Sequence, residues 1–203
     1  MKGIALGLAA LAAASAVAAG PVADPIAAAF VVIGPHGHAV ARVVTDGDTC
    51  PRLEIDDKAR AMAVRAEPVT EALRPTLSAP QDSKPSAFPV LVCDAAIPDG
   101  SHVVSAGGHR LPAPGRHVRR IVVIGDTGCR LKASDNAWQA CNDPAAYPFA
   151  RIAAQAAAMK PDLVIDVGDY LYRENRCDAG DAGCAGSPWG YGWDAWRADF
   201  FDP

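Results

Sequence analysis

Two short apolar runs, each closed by Gly-Asp and separated by a helical pattern, constrain this chain more than any other feature. The first is Ile121-Val122-Val123-Ile124, followed by Gly125-Asp126-Thr127-Gly128. The second is Leu163-Val164-Ile165-Asp166-Val167, followed by Gly168-Asp169-Tyr170-Leu171-Tyr172. Continuous apolar runs of this length read as parallel strands covered on both faces. Between them Phe149, Ile152, Ala153, Ala156 and Ala157 recur at helical spacing, with Pro148 suited to a first helical position and Lys160-Pro161 as a stop. Strand, helix, strand in that order predicts a βαβ unit. Ligands of open α/β sheets bind beyond the carboxyl ends of the strands, so both aspartates and Tyr172 are aimed at one point. Oxygen donors of this kind suit hard or oxidised metal ions.

The preceding residues follow another rhythm. Short β-like pieces at Ala29–Ile33, Ala39–Thr45, Arg52–Ile55, Ala61–Arg65, Pro89–Cys93 and His102–Ser105 are separated by Gly- and Pro-containing turns. This is the pattern of an antiparallel sandwich, assigned to residues 22–117. Glu67–Lys84 is polar and Pro-containing and reads as a loop, and Leu111–Gly115 reads as a stiff linker. An incomplete α/β unit spanning 118–203 follows, its end marked by Trp193, Trp196 and Phe200 at helical spacing from about Tyr191 to Phe201. The fold class expected is therefore α/β preceded by an all-β sandwich.

Compartment and charge narrow the function. Lys2, the apolar stretch Ile4–Ala14 and the small residues Ala16-Val17-Ala18 have the layout of an export signal over residues 1–19. Six cysteines in an exported chain point to disulfides, and sequence order pairs Cys50 with Cys93, Cys129 with Cys141, and Cys177 with Cys184. A periplasmic or secreted protein is expected, without a membrane anchor once the signal is removed. The net charge of −4 argues against a nucleic-acid partner, and the short basic patch Arg116–Arg120 reads as the flank of a strand. Oligomeric state leaves no mark in the sequence.

At Gly125-Asp126-Thr127-Gly128 and Gly168-Asp169-Tyr170-Leu171-Tyr172 the chain resembles the purple acid phosphatases, within the calcineurin-like metallophosphoesterases. Those enzymes spread a dinuclear metal site over five blocks, G-D-x-G, G-D-x-x-Y, G-N-H-[ED], V-x-x-H and G-H-x-H. The first two are present here in the family's order. The resemblance implies that Asp126 binds a ferric ion, that Asp169 bridges it to a second metal (Fe, Zn or Mn), and that Tyr172 is the phenolate ligand. It implies a phosphate monoester as substrate. It also extends to the sandwich, which is similar to the fibronectin-like N-terminal domain of that family.

The last three blocks are not found in these 203 residues, and all five histidines (His36, His38, His102, His109 and His117) precede Asp126. The chain therefore reads as the N-terminal part of such an enzyme, inactive by itself for want of imidazole ligands and of an acid for the leaving alkoxide. His36-x-His38 reads as a hairpin turn. Thr127, Tyr170 and Asp166 are candidates for supporting positions around the metal ligands, and Arg173-Glu174-Asn175 reads as a solvated loop. Two alternatives stand beside the phosphatase. One is a secreted phosphodiesterase or nucleotidase with a different metal pair. The other is a non-catalytic β-sandwich binding module carrying a decayed catalytic remnant.

Overall fold

The structure, a computed structural model, describes residues 25–73, 83–115, 117–147 and 149–203. Residues 1–24, which include the expected export signal, together with residues 74–82, Arg116 and Pro148, lie outside the described residues. No helix among them is long and apolar enough to cross a membrane.

Alternation with a period of two builds the first half. In β2 (Ala39–Thr45), Ala39, Ala41 and Val43 face one side and Val40, Arg42 and Val44 the other. It pairs antiparallel with β1 (Ile26–Ile33) across a tight turn at Pro35–Gly37, where exposed His36 adopts φ 59°. The order of strands is completed by β3 (Arg52–Ile55), β4 (Lys58–Ala61), β5 (Ala63–Ala66), β6 (Val69–Glu71), β7 (Ser86–Phe88), β8 (Leu91–Ala96), β9 (Val104–Ala106) and β10 (His109–Leu111). Two four-stranded sheets result, ordered β1-β2-β8-β5 and β10-β9-β3-β4, and every pairing within them is antiparallel. Their facing residues form one core, with Ala41, Val43 and Leu91 from the first sheet against Leu53, Ile55, Val104 and Ala106 from the second. Cys93 of β8 is bonded to Cys50, just before β3, so this disulfide ties the two sheets together. The sandwich expected from the sequence is present.

Several expected boundaries are corrected. Glu67–Lys84 is not wholly a loop, because β6 pairs with β7 in a separate two-stranded ribbon. Leu111 is not linker but the buried end of β10. The single piece Ala61–Arg65 is two strands, divided at Met62.

The second half contains β11 (Ile121–Ile124), a small hairpin of β12 (Leu131–Lys132) and β13 (Ala137–Trp138), α1 (Phe149–Ala158), β14 (Leu163–Asp166) and α2 (Trp193–Trp196), which runs on as a wider π turn over Arg197–Phe201. β11 and β14 are parallel, from Ile121 opposite Leu163 to Ile124 opposite Asp166. They are not covered on both faces as expected: Ile121 and Val123 are more than half exposed, and Val164, Ile165 and Val167 are also exposed. The basic patch flanks β11, its backbone N–H groups at Arg119 and Arg120 donating to Asp162. The Arg120 guanidinium donates to the carbonyls of Met159 and Lys160, where a cation satisfies the open end of α1.

The C-terminal helix joins the halves. Phe201 and Trp193 pack with Phe30, Val44 and Val90 on the outer face of the first sheet. Phe200, next in chain, packs instead with Phe149 and Tyr170 beside the ends of β11 and β14. Neighbouring residues on a helix point in different directions, so one turn of chain grips both units.

Candidate metal centre

The two strand ends are zipped together beyond their regular ladder. Val167 donates to Ile124, Asp126 to Gly168, Gly128 to Asp169 and Leu131 to Tyr172, all through backbone N–H and carbonyl groups between 2.9 and 3.1 Å. This close approach explains a glycine in the first motif. A Cβ on Gly128 would stand 2.8 Å from the Leu171 nitrogen and 2.9 Å from the Tyr170 carbonyl carbon, which are backbone atoms with little freedom to yield. Gly128 thus lets the loop after β11 lie flat on the loop after β14.

Asp126 and Asp169 both adopt left-handed backbone, with φ 55° and 58°. Aspartate tolerates this region better than most residues, yet two such positions side by side concentrate strain at one point, as functional sites do. The Tyr172 hydroxyl lies 2.5 Å from Asp169 Oδ2 and 3.0 Å from Asp126 Oδ1. All three expected ligands therefore meet. Both carboxylates are exposed, at a cleft lined by Asp126, Thr127, Gly128, Tyr147, Phe149 and Asp169. The hydrogen bond to Asp169, then loss of solvent and the bond to Asp126, push the Tyr172 phenol above its ordinary value. The Tyr172 hydroxyl thus faces two carboxylates, and a hard cation could take the place of its proton.

The fit to a metal is partial. Among the described residues no group of three or more His, Cys, Asp or Glu side chains is arranged to hold an ion. The constellation offers two carboxylates and a phenol, a hard oxygen set, without nitrogen donors. All five histidines belong to the segment before β11 and are exposed.

The supporting candidates divide. Asp166 Oδ1 accepts the Gly168 N–H at 2.9 Å and so shapes the turn into Asp169, while its buried Oδ2 has no partner among the described residues. Thr127 is buried; its carbonyl accepts the Tyr147 hydroxyl at 2.5 Å, and its Oγ1 has no partner among the described residues. Tyr170 is engaged by aromatic packing, 4.8 Å from Trp196 and 5.7 Å from Phe200 between ring centroids. The disulfides Cys129–Cys141 and Cys177–Cys184 form as expected and staple the chain after each motif.

Residues 173–175 are not a solvated loop. Arg173 and Asn175 are almost fully buried, and Asn175 Oδ1 accepts the Ala133 N–H at 2.7 Å. Arg173 Nε donates to Asp199 Oδ1 at 2.5 Å, and its NH1 donates to the Pro188 carbonyl. Burial pushes the Asp199 carboxyl above the usual carboxylate range, opposed in part by Arg173 and by the backbone N–H groups of Cys129 and Tyr172. Sequence reading passed over Asp199, although its position three residues after Trp196 and one before Phe200 puts it on the buried side of the helix. It also passed over Arg130, whose guanidinium carbon sits 4.9 Å from the centre of the Tyr172 ring.

No protein-family model, curated protein or solved structure matches this chain.

Proposed function

We propose that this chain carries ligands of an exported dinuclear-metal phosphoesterase centre of the purple acid phosphatase type, acting on phosphate monoesters. The observation that carries the reading is the meeting of Asp126, Asp169 and Tyr172 oxygens within hydrogen-bond distance at the ends of two parallel strands. Three disulfides and the lack of a membrane-crossing helix among the described residues are compatible with an extracellular protein, and the reading places it in the periplasm or beyond.

In this reading Asp126 and Tyr172 would hold a ferric ion, and Asp169 would help to hold it together with a second ion, Fe, Zn or Mn. Such a pair of ions would supply positive charge to the attacking and leaving oxygens of a displacement at phosphorus. The chain's own part is to hold donors. Left-handed backbone at each aspartate turns its carboxylate out of the strand, and the contact at Gly128 fixes one loop against the other. Tyr172 would serve as a phenolate donor to the ion, with the Arg130 guanidinium carbon 4.9 Å from the centre of its ring. All five histidines precede β11 in the chain, so slow or absent turnover is expected from these 203 residues.

Oxyanion binding is therefore the test. Inorganic phosphate added to the iron-loaded chain is expected to shift its visible absorption, and the shift should disappear in Asp169→Asn. An iron-loaded chain indifferent to phosphate would remove the phosphoesterase reading.

A further inference from the structure

We propose that Asp199 and Arg173 form a buried positioning pair that holds the Asp126 and Tyr172 loops in one alignment. The inference rests on the reading of Asp126, Asp169 and Tyr172 as a cation site. Asp199 is 0% exposed and Arg173 2%. A buried ion pair is weak evidence for stability, because desolvation offsets much of its attraction, so its location has to be explained by something else.

The connections around the pair supply that explanation. The Asp199 carboxylate accepts from Arg173, the residue next to Tyr172, and the backbone N–H groups of Cys129 and Tyr172 lie close enough to favour its charged form. These N–H groups belong to the ends of the two motif loops, one from each. The Asp199 carbonyl is 3.2 Å from the Tyr147 hydroxyl, which also bonds to the Thr127 carbonyl at 2.5 Å. Asp199 thus lies beside the first loop at Cys129 and, through Tyr147, at Thr127, while its Oδ2 has no hydrogen-bond partner among the described residues. Arg173 reaches onward to the Pro188 carbonyl, and its own carbonyl accepts the Gly190 N–H, so the segment after the Cys177–Cys184 staple is tied to the same point. Asp199 sits between Trp196 and Phe200, whose rings pack on Tyr170 in the second motif. These links run to Tyr147, to backbone around the motif loops and the 188–190 segment, and to the Tyr170 ring, and none of them is to the Asp126 or Asp169 carboxylates or the Tyr172 hydroxyl. This is the arrangement of a group that orients ligands without being one.

The test compares the wild-type chain with two variants. Asp199→Asn leaves the guanidinium buried without its counter-charge and is expected to melt at lower temperature. The double variant Asp199→Leu with Arg173→Met removes both charges, and such swaps commonly keep the fold. With its melting temperature preserved, amide hydrogen exchange in segments 125–130 and 168–175 is expected to quicken by about tenfold, while β2 and β8 stay protected. Ferric affinity is expected to fall by about 10–100-fold, the usual effect of losing a ligand's support. Unchanged exchange in both segments, or loosened loops with unchanged ferric affinity, would overturn the positioning role. A wild-type chain that binds no ferric ion would remove the cation reading, and the exchange comparison would then decide whether the pair aligns the loops.

Discussion

Asp126 and Asp169 share a left-handed backbone conformation just past two paired parallel strands, and one phenol, Tyr172, touches both carboxylates. Backbone and ligand roles can be separated at these positions. Alanine in this region of φ and ψ costs about 1–2 kcal/mol, whereas glycine enters it freely. Asp126→Ala and Asp169→Ala are expected to lower unfolding stability by about 1 kcal/mol. Asp126→Gly and Asp169→Gly are expected to retain it, and all four lose cation binding. Urea denaturation checks the first part, and equal loss of stability in the alanine and glycine variants would count against backbone strain.

Gly128→Ala puts a methyl group against backbone of Tyr170 and Leu171. Overpacking of this kind typically costs 1–3 kcal/mol, roughly speaking, and here it separates the two loops. The variant should unfold at lower urea and bind ferric ion less well than wild type. Native stability together with native affinity would show that the loops can part without consequence.

The disulfides should differ in weight. Cys50–Cys93 closes a separation of 43 residues and joins the two sheets, whereas Cys177–Cys184 closes 7. Chain entropy assigns about 4 kcal/mol to the first and about 2 kcal/mol to the last. Paired Cys→Ala variants at 50 and 93 should therefore lose more stability than the pair at 177 and 184, as read from urea midpoints. The reverse order would contradict the bridge between sheets.

Acid should weaken the fold through two exposed aspartates. Asp162 is held below the usual carboxylate range by the N–H groups of Arg119 and Arg120, and Asp56 by those of Val103 and His102. A lowered folded value means that the contribution is complete above the unfolded value of about 3.9 and is lost as pH falls through the folded value. Thermal melts should thus drop on acidification below about pH 4, and the gap between wild type and Asp162→Asn should narrow in the same window. A gap constant across that range would show that Asp162 does not contribute through its charge.

Legibility in the sequence followed the range of the interactions. β2 carries its alternation in Ala39, Ala41 and Val43, and its limits are those expected. Cysteine order gave the three pairings because each partner is the next cysteine in the chain. β6 was hidden because Val69-Thr70-Glu71 is exposed on a two-stranded ribbon, and only its distant partner at Ser86–Phe88 makes it a strand. The hairpin of β12 and β13 is two residues a side, too short to show any period. In the site, the three oxygen donors were visible because a glycine and a strand announce each aspartate. Arg173 and Asp199 were not, since a charged residue in a polar stretch looks solvated until its partner, 26 positions away, is brought to it by the fold.

Titration of the wild-type chain with ferric ion, followed by visible absorption, tests the central claim most directly. A charge-transfer band that disappears in Tyr172→Phe, with weaker binding in Asp126→Asn and Asp169→Asn, is the predicted result. Absence of binding, or a band unchanged by all three substitutions, would contradict a cation centre at the ends of β11 and β14.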